Sequence, residues 1–183
     1  MDDRSLAEQS AKGSKNAFRL LVLRNQRMVF SFLGKFLFQV QVLEDLAQET
    51  FLRAYRHIAD FNAEKGVSFS TWLLTIARNL AINEKAKKKR RREHPSSFME
   101  INQAIIKKSP QDMLEKRYLS TRVHNAINRL PEKFQTAVIL SYFDELSIEE
   151  IAQIEECPVG TVKSRVFRGK QILRQILEKE RVL

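Results

Sequence analysis

Two groups of side chains in this sequence have types and spacings suited to chemistry, and both suit nucleic acid. Lys163, Ser164, Phe167 and Arg168 lie close together near the C-terminus, beside Thr161. On a helix they fall away from the inner face formed by Val162, Val166 and Leu173. Lys and Arg can pair with guanine, and Ser or Thr with bases or phosphates. The second group combines Phe61, Asn62 and Lys65 with Arg78, Asn79 and Asn83. Aromatic platforms, amide edges and cations are what a melted strand needs. Phe69 and Trp72 stand close by, but they fall on an apolar stripe and belong to the core. The run Lys85, Lys87, Lys88, Lys89, Arg90, Arg91 and Arg92 can neutralise phosphates, which positions a nucleic acid without specifying its sequence. A solvated basic tail would have the same composition.

Catalytic groups are missing from the pattern. His57, His94 and His124 are widely separated and none has a Cys or His at metal-ligand spacing, so no metal site is expected. Cys157 is the single cysteine; it excludes an internal disulfide framework and fits a reducing cytoplasm. The sequence contains no Gly-rich phosphate loop, Ser-His-Asp arrangement or nucleophile elbow. The expectation is a non-enzyme that needs no cofactor.

The balance of charge agrees with a polyanionic partner. Lys and Arg number 32 against 22 acidic residues over 183 positions, a net charge of +10, which favours nucleic acid or an anionic membrane surface. No apolar run reaches the roughly 18 to 20 residues of a membrane span, and the opening Met-Asp-Asp-Arg lacks the pattern of a secretory signal. The chain is expected to be soluble and cytoplasmic, without membrane insertion.

Helices must position these groups. Only 5 Gly and 4 Pro occur, and apolar residues recur at three- and four-residue steps, which predicts an all-α protein. An amphipathic start at Phe18 to Leu23 leads into an aromatic-rich stretch from Met28 to Phe38. A helix follows from about Leu43 to Ile58. The next is capped by Ser68 or Ser70, carries Trp72, Leu73, Ile76, Ala77 and Leu80 on one stripe, and ends in the basic run. Breakers at His94-Pro95-Ser96-Ser97 and Lys107-Lys108-Ser109-Pro110 mark a flexible linker. Further helices span Leu114 to Arg129, Pro131 to Phe143, Ser147 to Ile154, and Thr161 to the C-terminus. Two small helical domains result, 1–92 and 113–183, joined by 93–112.

On the helix after Leu43, steps of about 100 degrees place Leu46, Ala47, Thr50, Ala54 and Ile58 on one face. Asp45, Gln48, Glu49, Leu52 and Arg56 fall opposite, on what composition alone describes as a solvated surface. Ser147 and Glu150 form a capping box, which starts a short helix. That helix, the turn at Glu155-Glu156-Cys157-Pro158 and the basic helix beyond fit a helix-turn-helix. A helical hairpin with a solvated basic face fits the spacing equally well.

The wording of the sequence favours the first of these. Leu130-Pro131-Glu132-Lys133-Phe134, Leu146-Ser147-Ile148-Glu149-Glu150-Ile151-Ala152 and Cys157-Pro158-Val159-Gly160-Thr161-Val162-Lys163-Ser164-Arg165 resemble region 4 of extracytoplasmic-function sigma factors. Glu44-Asp45-Leu46-Ala47-Gln48-Glu49-Thr50-Phe51-Leu52-Arg53-Ala54-Tyr55 and Phe69-Ser70-Thr71-Trp72-Leu73-Leu74-Thr75-Ile76-Ala77-Arg78-Asn79-Leu80 are similar to region 2. Both occur in the family's order and together cover nearly the whole chain. The resemblance implies that Asp45, Gln48, Glu49, Leu52 and Arg56 dock core RNA polymerase. It assigns Phe61, Asn62, Lys65, Arg78, Asn79 and Asn83 to the minus-ten promoter element and strand opening. Thr161, Lys163, Ser164, Arg165, Phe167 and Arg168 are assigned to the minus-thirty-five element. It also brings in an anti-sigma factor as a further partner. A stand-alone helix-turn-helix regulator is the competing reading; a nuclease would need clustered acidic ligands, which the sequence lacks.

The sequence departs from the family pattern at several positions. Glu145 and Glu156 stand where Gly is frequent, Glu155 where an apolar residue is frequent, and Thr75 where Arg is frequent. A left-handed Glu156 would cost up to about 1 kcal/mol relative to Gly.

Overall fold

The computed structural model describes residues 2–37, 39–61, 66–93, 122–123 and 125–179. Its regular elements are helices, and no strand occurs among the described residues. The first helix, α1, spans Asp3–Ala11 and is opened by Asp2, whose carboxylate accepts from the Ser5 amide at 2.8 Å. A turn through Gly13, at φ 96°, leads to Ser14, which accepts from the Ala17 amide and starts α2, Lys15–Gly34. The amphipathic start and the first part of the aromatic stretch are therefore one helix. No breaker interrupts them before Gly34.

Helix α3, Val40–Arg56, is followed by a single 3-10 turn, Ile58–Asp60. Between the two candidate caps of the next helix, Ser68 is the one used: its Oγ accepts from the Thr71 amide at 3.0 Å. Helix α4 then runs over Phe69–Glu93, so the basic run from Lys85 continues the helix, one residue beyond the expected boundary at 92. Residues 94–121, with nearly all of the expected linker and the first half of the helix proposed over Leu114 to Arg129, lie outside the described residues; 125–128 are helical.

Pro131 opens α5, Glu132–Tyr142. The capping box at Ser147 is fully formed, with the Glu150 carboxylate accepting from the Ser147 amide at 2.9 Å, and it starts α6, Ile148–Ile154. Helix α7, Val159–Lys179, completes the chain's regular structure.

Each half buries large aliphatic and aromatic side chains. In the first, Leu21, Val29, Phe32, Leu33, Leu73, Leu74 and Ala77 are essentially inaccessible. Small residues on α3, Ala47 and Ala54, let it approach α2 and α4, and Thr50 satisfies its hydroxyl on the Leu46 carbonyl at 2.7 Å. In the second half Val138, Ile139, Leu140, Ile151, Ile154 and Val162 are buried. Gly169 fixes how closely α7 lies on α5: a Cβ there would meet Val138 Cγ2 at 2.6 Å. The two halves touch: α6 packs on α4, and buried apolar residues of both halves join in one cluster.

Candidate nucleic-acid interface

The end of α6 sets the angle of α7. Its last turn closes in a Schellman arrangement, the Cys157 amide donating to the Ala152 carbonyl at 3.1 Å and the Glu156 amide to Gln153 at 3.3 Å. That arrangement wants a left-handed residue, usually Gly, at the position Glu156 occupies. Glu156 takes it, with φ 50°, and Glu145 does the same after α5 with φ 53°. The strain foreseen for Glu156 is thus present at two turns. Pro158 then starts α7, its carbonyl accepting from the Thr161 amide at 2.8 Å.

On α7, Val162 is buried, Val166 and Leu173 are half-buried, and Lys163, Ser164, Phe167 and Arg168 are exposed. Phe167 is 63% exposed, unusual for an aromatic side chain with no partner to cover it. The Ser164 hydroxyl donates back to the Gly160 carbonyl at 3.0 Å, leaving its lone pairs outward. Thr161 is half-buried at the positive end of the helix, where backbone amides and the helix dipole favour a phosphate. One expected member is not on this face. Arg165 turns inward and pairs through Nη1 with Glu155, whose side chain is inaccessible, and the same Nη1 lies 3.5 Å from Cys157 Sγ. The acidic residue in an apolar slot of the turn holds the arginine there. Burial pushes the Cys157 thiol up, with the Arg165 charge opposing, so it is no reactive thiolate.

The first half places its candidates across three elements. On α3, Asp45, Gln48, Leu52 and Arg56 are exposed and Glu49 is half-buried, accepting from Arg53 Nε at 2.7 Å. Leu52 is 49% exposed among these polar groups. The opposite face, Ala47, Thr50, Ala54 and Ile58, is buried.

After α3, Phe61, Phe69 and Trp72 form a three-ring cluster with centroids 5.5 to 5.7 Å apart. Phe69 is buried, and Phe61 and Trp72 are half-buried. Trp72 also lines an open cleft with Arg53, His57, Asp60, Ile76 and Asn79. Of the expected residues, Asn79 belongs to this cleft and Asn83 is exposed further along α4. Phe61 instead spends its ring faces on Phe69 and Trp72. Asn62 and Lys65 lie outside the described residues. Arg78 is half-buried, its guanidinium donating to Asn79 at 3.0 Å while its Nε is buried without a partner. Sequence reasoning missed Arg53, His57 and Asp60; their signal was only proximity to the chain reversal between α3 and α4. In the basic run, Lys87 is exposed, whereas Lys88 donates to Gln39 at 3.0 Å.

Among the described residues, no group of His, Cys, Asp and Glu is placed to hold a metal ion, and no helix is long and apolar enough to cross a membrane.

Comparison with known proteins connects these two sites. The family model for sigma-70 region 2 matches residues 21–91, and that for sigma-70 region 4 matches 120–173. The chain is 36% identical to the RNA polymerase sigma-H factor of Pseudomonas aeruginosa, over 96% of this chain and 94% of that one. It is also 36% identical to the ECF RNA polymerase sigma factor SigW of Bacillus subtilis, over 93% and 94%. Among solved structures, it resembles the sigma factor RpoE of Bartonella quintana in complex with the anti-sigma factor NepR, with a TM-score of 0.67 at 25% identity over 88% of this chain and 96% of that one.

Proposed function

The chain belongs to the extracytoplasmic-function sigma factors, which bind core RNA polymerase and direct it to promoters, and from that premise we propose how its residues divide the work. Asp45, Gln48, Glu49, Leu52 and Arg56 on α3 dock core polymerase. The cleft beside Trp72, with Asn79 and Asn83, together with Asn62 and Lys65, holds the melted strand of the minus-ten element. Lys163, Ser164, Phe167 and Arg168 on α7 read the minus-thirty-five element.

The observation that carries this division is the split of α3 into a buried face and an exposed face that carries Leu52, with Tyr55 exposed one turn on. A half-exposed leucine among polar side chains and an exposed tyrosine is poorly used in a free chain and well used in an interface, where an apolar anchor contributes affinity and the polar rim sets orientation. Contributions from the protein are binding energy and position; the polymerase supplies the chemistry. Its place of work is accordingly the cytoplasm. The complex formed by the similar RpoE supports an anti-sigma factor as a regulator here as well.

Promoter-dependent transcription by purified core polymerase, with and without the protein, tests the reading. Transcripts from a specific start only when the protein is added are expected. Tight, sequence-specific duplex binding by the protein alone, unchanged by core, would favour a stand-alone regulator.

A further inference from the structure

One cation of the recognition helix is not offered to DNA. Arg165 sits at the border between the two faces of α7. Steps of about 100 degrees put it between the buried Val162 and the edge that carries Thr161, one turn before it, and Arg168, one turn after. From that border a long guanidinium side chain can reach either way. Outward lie the phosphates that flank a groove holding α7, and inward lies Glu155. Its Nη1 donates to Glu155 Oε2 and lies 3.5 Å from Cys157 Sγ, which is itself 3.9 Å from the same Oε2. The Arg165 side chain is 25% exposed and that of Glu155 not at all.

The pair is lopsided, and that decides whether it opens. The other carboxylate oxygen of Glu155, Oε1, is buried without a partner, so the group is already short of donors. Swinging the guanidinium out would leave an uncompensated charge in an apolar slot, which costs more than an exposed contact to one phosphate returns. The hydrogen bond to Glu155 also pushes the guanidinium up, against the effect of its burial. The Cys157 thiol, pushed up by burial, stays neutral and offers Arg165 no competing charge. Glu155 is one of the positions at which the sequence departs from the family pattern, so membership of the family does not supply the pair.

We propose that Glu155 is a positioning residue acting through Arg165: it withholds a phosphate contact from the recognition helix and so limits the affinity that does not depend on DNA sequence. Lys163 and Arg168 remain exposed and carry the charge that DNA meets. The device suits a basic chain. With a net charge of +10, binding to any duplex is favoured, and each added phosphate contact strengthens preferred and competing sites alike. A cation cancelled beneath the helix weakens the hold of competing sites without touching base readout.

The proposal rests on the assignment of α7 to the minus-thirty-five element, and the experiment tells the two apart. Fluorescence anisotropy follows holoenzyme binding to two labelled promoter fragments, one carrying the upstream element that the wild type prefers and one with that element scrambled. Glu155→Leu fills the slot with an apolar side chain of similar size and frees Arg165. It should tighten binding to both fragments several-fold and by the same factor, and steepen the salt slope by about one unit. Its advantage over the wild type should shrink roughly threefold between about 50 and about 200 mM salt. Adding Arg165→Leu should return affinity, slope and net charge to the wild type. Glu156→Gln removes an acidic charge from the same turn but frees no arginine, and should leave the slope unchanged. Glu155→Gln keeps the shape of the slot's occupant and should gain less, in the same direction. Weaker binding by Glu155→Leu, or no gain in either Glu155 variant, overturns the withholding and leaves the pair as a support of α7. A slope steepened equally by Glu156→Gln, or still steep in the double variant, overturns it too. Equal affinity of the wild type for the two fragments overturns the minus-thirty-five reading itself and the proposal with it.

Discussion

The C-terminal helix-turn-helix and the N-terminal helical unit both face nucleic acid, yet they assemble their surfaces differently. On α7, four exposed residues from Lys163 to Arg168 share one helix face, and the buried Val162 behind them fixes its direction. In the N-terminal unit the candidates come from α3, the chain reversal after it and α4, and some are drawn inward: Phe61 into the aromatic cluster, and Arg78 half-buried with its Nε enclosed. A face on one helix needs only a period and a correctly placed axis. A cleft between elements also needs their packing, so its members respond to changes at a distance.

The largest effect should fall on the N-terminal unit. Leu52→Glu should abolish co-purification with core polymerase, a loss of about 2 kcal/mol or more for a central anchor, while circular dichroism stays at the wild-type level because the side chain is half exposed. Wild-type recovery with core would move the docking surface off α3.

A comparable loss aimed at the other unit tests whether the axis of α7 matters as much as its residues. Gly169→Val forces side-chain atoms into Val138 and Phe134 and should destabilise the C-terminal unit by roughly 1 to 3 kcal/mol. Thermal unfolding followed by circular dichroism would read this. An unchanged transition would mean that α5 and α7 are not in the close contact described.

Specificity separates the two regions further. Arg168→Ala in holoenzyme should cost about 1 to 3 kcal/mol on a cognate upstream element and much less on a scrambled one. Lys87→Ala should weaken binding to both alike and lower the salt slope by roughly one unit at most. Lys87 is the appropriate comparison, since Lys88 already bonds Gln39. A salt series on both DNAs gives the slopes, and equal losses for Arg168→Ala would make it a phosphate contact, leaving Lys163 and Ser164 as base readers.

The smallest effect concerns the turn. Glu156→Gly relieves a left-handed non-glycine residue, offset by greater freedom of the unfolded chain, and should stabilise the unit by at most about 1 kcal/mol. A lowered midpoint in urea would show that the Glu156 side chain contributes something the backbone argument omits.

Local chemistry made much of this legible beforehand. The capping box of Ser147 and Glu150 needs three consecutive steps of chain and forms as expected. The two faces of α3 follow from its period, and the left-handed turn at Glu156 followed from its departure from a glycine-bearing pattern. Where the reading fell short, the deciding partner was remote or outside the pattern. Arg165 looks like another member of the recognition helix until Glu155 is found buried beneath it. Nothing in the spacing of Arg53, His57 and Asp60 placed them beside Trp72.

By itself, then, the sequence determined an all-helical chain, its caps and turns, the inner and outer faces of its helices, and the family signatures that give it a task. Those are properties of neighbours within a turn or two, where backbone geometry fixes which side chains meet. Tertiary structure alone decided that Phe61 is spent on its neighbouring rings, that the Arg78 Nε is buried, and that Lys35 meets Asp144 across a separation of 109 residues. Such contacts depend on how whole elements pack, and packing answers to volume and burial summed over many side chains, which no local period records.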